Sequence, residues 1–211
     1  IRTAGWHIDE AIITRIVGTR LYFEPTTRYQ IRAGQGYYLL DELGMLDSPG
    51  EWFYDENTAS AYVWAPDGNA PSDQVRLSIL EKGIDLSKRS NVIIEGIDIL
   101  HTGLGVDLTK AQNITLRSMH VANTIREGIL ATSAKNINIV SNRIRQTGGD
   151  AISAIYSTTV RVEANDIYQS AVSVIGDRVW SLPIGTNAAI YTGTFSNIID
   201  NHIDTSAGNG I

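Results

Sequence analysis

Through most of the chain, apolar and polar residues alternate in short bursts. Residues 90–99 read "SNVIIEGIDI", 112–121 "QNITLRSMHV", 135–144 "KNINIVSNRI" and 158–167 "TTVRVEANDI". A period of two argues half-buried β-strands rather than helices. The bursts are copies of one another. The column Ile99, Val121, Ile144, Ile167 advances in steps of 22, 23 and 23 residues. A further copy, "TFSNIIDNHI", puts Ile203 in that column after 36 residues, one period plus about 13 inserted residues. A second short strand follows each copy: "GIDL" at 83–86, "GVDL" at 105–108, "GILA" at 128–131 and "DAIS" at 150–153.

A repeat in the low twenties without helical spacing predicts a stacked β-solenoid. The leucine-rich repeat has a similar period, but its leucine consensus is missing. No single coil can bury its own apolar face, so Ile94, Leu116, Ile139, Val162 and Ile198 are expected to stack as one ladder. Asn142, Asn165 and Asn201 fall between the two strands of successive coils. A corner ladder suits them, because Asn tolerates the left-handed region and hydrogen-bonds its neighbours. The expected fold is all-β: a stacked β-solenoid over residues 75–211, after a β-rich lead-in over 1–74.

In the lead-in, "AIITRIV" and "RLYFEP" read as strands, and "EWFYD" and "SAYVWAP" as a hairpin around "ENTA". Trp52, Phe53, Tyr54, Tyr62 and Trp64 either pack the first coils or form a sugar-stacking platform. The chain opens on Ile1 rather than Met. It ends on Ile211, in the column of Val106, Ile129 and Ile152. The start reads as that of a processed chain or a fragment, and the end as that of a longer protein lacking its C-terminal coils, so a site in later coils would lie beyond Ile211.

Composition narrows the function. The 211 residues are 43% hydrophobic, ordinary for a folded domain, with a net charge of −6 and no basic run. Nucleic acid is therefore not an expected partner. No apolar run has membrane-spanning length. The absence of cysteine excludes disulfides and thiolate metal sites.

With its repeat and its upstream segment "GYYLLDELGMLDSPGEWFYDENTASAYVWAPDG" (36–68), the chain resembles the right-handed parallel β-helix proteins. The segment is similar to the "PGEW" hairpin that precedes the helix in a group of β-helical glycoside hydrolase-like proteins. The wider family includes pectate lyase-like polysaccharide lyases. The resemblance implies a secreted or periplasmic protein of bacterial type, with a polysaccharide as substrate or ligand.

Two acidic columns are the candidate chemistry. Taking Ile84, Val106, Ile129 and Ile152 as inward, the column one residue on is Asp85, Asp107, Leu130, Ser153, expected on an open face. Rungs lie ~4.8 Å apart, and a retaining glycosidase wants its carboxyls ~5–5.5 Å apart. The same pair is suited to gripping Ca²⁺. The column two residues before the inward position is Lys82, Leu104, Glu127, Asp150. Asp150 follows two glycines, where a turn-making role competes with a catalytic one. Candidate catalytic residues are thus Asp85, Asp107, Glu127 and Asp150. His101 and Arg126, with Arg178 and Trp180 from the insertion, are the candidate substrate-binding residues. The motifs of serine hydrolases, zinc proteases and phosphate-binding loops are missing, as is the polygalacturonase residue set. Two functions remain open: a carbohydrate-active hydrolase or lyase, or a non-catalytic glycan-binding or structural module.

Overall fold

A computed structural model describes residues 1–4, 7–9, 11–37, 39, 42–70, 75–171, 188–193, 195–206 and 210. The chain divides into two compact units, Ile1–Arg76 and Leu77–Ile211. Among the described residues there is no α-helix, only one short 3₁₀ turn at Leu43–Met45.

The first unit is made of antiparallel pairs. Arg2–Ala4 pairs with His7–Ile8, Ile12–Val17 with Arg20–Glu24, and Trp52–Asp55 with Ser60–Val63. Both hairpins fall where alternation and turn residues place them. The turn of the aromatic hairpin is fastened by Asp55, whose carboxylate accepts the Asn57 N–H (2.9 Å) and the Thr58 hydroxyl (2.8 Å). Phe53 and Tyr62 face each other across the strands, ring centroids 6.1 Å apart.

The second unit is the parallel β-helix. One sheet stacks Ser90–Glu95, Gln112–Arg117, Lys135–Val140, Thr158–Glu163 and Ser196–Ile199 in parallel register. The other holds two stacks joined through the long strand Asp98–Asp107. One stack continues through His120–Thr124, Arg143–Thr147, Asp166–Ser170 and His202–Ser206. The second begins at Leu80–Asp85 and continues through Ile129–Leu130, Ile152–Ala154 and Ile190–Thr192.

The register matches the repeat. Ile94, Leu116, Ile139, Val162 and Ile198 are partners in succession, as are Ile99, Val121, Ile144, Ile167 and Ile203. Ile190 stacks on Ile152 and extends the third ladder across the insertion. In the middle rungs these side chains lose all contact with water, while Ile84, Ile94, Ile198 and Ile203 at the ends stay half-buried. Each fully buried Ile or Val stabilises the coil stack by ~1.5–3 kcal/mol relative to exposure.

The glycines that open the second strands have a packing cause. Gly83, Gly105 and Gly128 stack in one column that continues as Ala151 and Ala189. A Cβ on Gly105 would lie 2.2 Å from the Gly128 carbonyl oxygen and 2.6 Å from Val121 Cγ1. The strand approaches the isoleucine ladder too closely for any side chain there.

The corner asparagines behave differently from expectation in one respect. Their backbones are not the left-handed ones. That conformation belongs to the residue before each: Ser141 (φ 55°), Ala164 (φ 52°) and Asp200 (φ 52°). The asparagine side chains turn inward and bond from rung to rung. Asn142 Nδ2 donates to Asn165 Oδ1 (3.0 Å), and Asn165 Nδ2 to Asn201 Oδ1 (2.9 Å). The same oxygens accept backbone N–H groups of the rung before, from Asn142 to Asn165 Oδ1 (2.9 Å) and from Asn165 to Asn201 Oδ1 (3.0 Å), and Asn142 Oδ1 likewise accepts the Met119 N–H (3.0 Å). The amides thus satisfy backbone groups that the corner would otherwise bury unpaired.

Candidate functional site

The stack that begins at Leu80–Asp85 carries both acidic columns. Parallel pairing sets Asp85 beside Asp107, Asp107 beside Leu130, and Leu130 beside Ser153. The row is not the open face that alternation suggests. Asp85 is exposed, but Asp107, Leu130 and Ser153 are only 6%, 6% and 1% exposed.

Lys82 stands between the two aspartates. Its Nζ lies 3.0 Å from Asp85 Oδ2 and 2.7 Å from Asp107 Oδ2. Each carboxylate also folds back on its own strand end: Asp85 Oδ1 accepts the Ser87 N–H and Asp107 Oδ1 the Thr109 N–H, both at 2.8 Å. Burial alone would push the Asp107 carboxyl up, but the Lys82 ammonium and the Thr109 bonds outweigh it and hold the group below the usual carboxylate range. Asp85 is held down by its bonds to Ser87 first and Lys82 second. Lys82 is raised in turn, by Asp107 more than by Asp85. This ammonium fills the place a Ca²⁺ would take between the two carboxylates, so the calcium reading gains no support.

The other column joins Glu127 and Asp150. Backbone bonds from Gly105 N–H to the Glu127 carbonyl and from Gly128 N–H to the Asp150 carbonyl (3.1 and 3.0 Å) set them on adjacent rungs beyond Leu104. Asp150 is 5% exposed, and its Oδ1 accepts the Ala188 N–H of the next coil at 2.8 Å. After Gly148 and Gly149, this carboxylate fastens the next rung to its own. Glu127 Oε2 lies 3.5 Å from Arg126 Nε. His101 is half-buried in a left-handed bend (φ 57°), on the coil before Arg126 and outside both acidic columns. Arg178 and Trp180 lie outside the described residues.

Sequence reasoning missed a polar cluster on the outward face of the neighbouring stack. There Asp98, His120, Arg143, Asp166 and His202 form one column. Leu100, Ala122, Arg145, Tyr168 and Asp204 form the next. Arg145 Nη2 bonds Asp166 Oδ2 at 2.7 Å, and its guanidinium lies 5.5 Å from the Tyr168 ring centroid. Arg143 Nε is 3.8 Å from the same oxygen. A second surface ladder runs Asn91, Asn113, Asn136, with amide bonds of 2.9 and 2.8 Å. Its signal was the Asn recurring in "SN", "QN" and "KN" at the start of the first three bursts.

Against protein families, one model matches residues 16–210, described as "Periplasmic copper-binding protein (NosD)". The chain belongs to the NosD family. No curated protein and no solved structure matches it. The family is periplasmic, as expected from the resemblance, and among the described residues no helix is long and apolar enough to cross a membrane. The resemblance to pectate lyase-like proteins holds for the β-helix. The family's description names copper and the periplasm, not a polysaccharide.

Copper asks for thiolate or thioether donors as Cu(I), or for imidazole nitrogens with oxygen donors as Cu(II), brought together. This chain has no cysteine, two methionines and four histidines. Met45 and His7 belong to the first unit, whereas Met119 is 2% exposed in the β-helix. His120 and His202 share a column but are separated by Arg143 and Asp166. Among the described residues, no three His, Asp or Glu side chains converge as a metal site. The donors among the described residues do not fit copper.

Proposed function

We propose that this NosD-family β-helix is a non-catalytic periplasmic module that binds an extended polysaccharide along its outward faces. The observation that carries the reading is the engagement of the carboxylates. Asp85 and Asp107 are held by Lys82 and by backbone N–H groups, and Asp150 by the next coil. A hydrolase needs one carboxyl raised toward neutral pH to act as an acid, and in the Asp85–Asp107 pair both are pulled down. What the helix presents outward is a linear array at rung spacing, with Arg143, Arg145 and Tyr168 on one sheet and the Asn91–Asn113–Asn136 ladder on the other. Arg and Tyr offer planar surfaces and hydrogen-bond donors to sugar rings and hydroxyls. A repeating array suits a repeating ligand.

The test is native affinity electrophoresis in gels carrying neutral or acidic polysaccharides, run beside a reducing-end assay on the same panel. The expected result is retardation without release of new ends, with retardation lost in an Arg145→Ala/Tyr168→Ala variant of unchanged circular dichroism. Release of reducing ends that disappears in Asp107→Asn would instead establish an enzyme. No retardation on any polymer would overturn the glycan reading.

A further inference from the structure

We infer that this chain holds no copper site of its own, although it belongs to a family named for copper, because one ion-paired segment interrupts the histidine column of its described residues. That column runs Asp98, His120, Arg143, Asp166, His202 on the outward face. His120 and His202 are three rungs apart, ~14 Å at ~4.8 Å per rung. Two imidazoles cannot close that gap around one ion with bonds of ~2 Å. Between them, the Asp166 carboxylate is bonded to Arg145 at 2.7 Å and flanked by Arg143 at 3.8 Å. Two guanidinium groups therefore stand where a cation would have to enter.

Within the β-helix no further histidine or methionine joins that column, and Asp98, 4.0 Å from His120 Nδ1, adds one carboxylate at its start. His101 falls in the column of Asn123 and Gln146 rather than that of His120. Met119 points into the coil corner at 2% exposure. The residues outside the described positions add no His, Met or Cys. The fold itself is no obstacle, because a parallel ladder sets equivalent side chains on successive rungs at a spacing that neighbouring imidazoles can bridge. What withholds copper is the identity of residues 143 and 166.

Two measurements decide this. The untagged full chain is loaded with Cu(II), and separately with Cu(I) under a reductant, then desalted and its metal content measured by mass spectrometry. The native chain should retain no more than a His120→Asn/His202→Asn variant, and an Arg143→His/Asp166→His variant should retain about one equivalent, with the Cu(II) form giving nitrogen hyperfine structure in its electron paramagnetic resonance spectrum. Arg143→His alone, which puts two imidazoles on adjacent rungs, serves if the double variant fails to fold. Stoichiometric retention by the native chain would overturn the inference. So would a folded column-filling variant that holds no copper, because spacing would then not be what withholds it. Neither result bears on the polysaccharide gels, so the two readings stand or fall separately.

Discussion

Replacing Asn165 with Ala should be among the most damaging single changes in the β-helix. Asn165 is 1% exposed and makes four side-chain bonds. Its Oδ1 accepts the Asn142 N–H (2.9 Å) and Asn142 Nδ2 (3.0 Å), and its Nδ2 donates to the Ile139 carbonyl (2.9 Å) and to Asn201 Oδ1 (2.9 Å). At ~0.5–1.5 kcal/mol net for each bond, the set is worth roughly 2–6 kcal/mol. Water cannot reach the orphaned Asn142 N–H or Ile139 carbonyl, which holds the loss toward the middle of that range, about 4 kcal/mol. The site is central in a stack of nearest-neighbour interfaces, so both the 142–165 and the 165–201 contacts go at once. For a chain of this size the loss lowers the melting temperature by roughly 8–16 °C.

Thermal and urea unfolding followed by far-ultraviolet circular dichroism reads the effect. Asn201→Ala is the control. That amide is half-buried at the open end of the ladder, where water replaces part of what is lost, so about 1–2 kcal/mol is expected. Asn165→Asp keeps the accepting oxygen but buries a charge against the Ile139 carbonyl and Asn201 Oδ1. Its deficit should shrink as pH falls and the carboxyl protonates. A loss under about 1 kcal/mol in Asn165→Ala, or one no larger than in Asn201→Ala, would refute the claim that the amide ladder holds the corner.

Three further outcomes follow from the same geometry. Gly105→Ala should cost about 2–3 kcal/mol by urea unfolding, because its Cβ meets the Gly128 carbonyl and Val121, whereas Ala151→Gly in the same column should cost about 1 kcal/mol or less. Lys82→Met should destabilise by about 1–3 kcal/mol at pH 7 by leaving the buried Asp107 carboxylate without its cation. Because the folded Asp107 carboxyl is depressed, the native chain's advantage over this variant is present above the ordinary carboxylate range near pH ~4 and shrinks below it, which melting curves at several pH values would follow. Asp150→Ala should cost at least about 1–2 kcal/mol by thermal unfolding, from loss of the bond to the Ala188 N–H.

Most of the β-helix was legible in the sequence because its register is a matter of counting. A step of 22 or 23 residues that returns Ile to Ile and Asn to Asn admits one parallel alignment, and a slip by one residue would turn every isoleucine outward. The hairpins were legible for a similar reason, since alternation and the turn at Asp55–Thr58 agree. Less legible was the mechanism at the corners. Asn165 could be assigned to a bend from its column alone. That its neighbour Ala164 would take the left-handed backbone, freeing the Asn side chain to bond inward, depends on dihedral angles that no residue preference dictates.

The acidic columns mark where counting stops helping. Register correctly makes Asp85 and Asp107 neighbours, yet neighbours on an outward column need not share an environment. Asp85 sits on the first rung and meets water, while Asp107, one rung in, is covered and depends on Lys82 to remain charged. Lys82 stands in the adjacent column, two residues from the inward position, and only the length of its side chain lets it reach across to both carboxylates. A residue pattern therefore proposes a pair of acids, but the reach of a nearby lysine decides whether they act as a catalytic dyad or as one side of a clamp. In this helix Lys82 reaches both, 3.0 Å from Asp85 and 2.7 Å from Asp107, and the proposed non-catalytic reading takes the pair as a clamp.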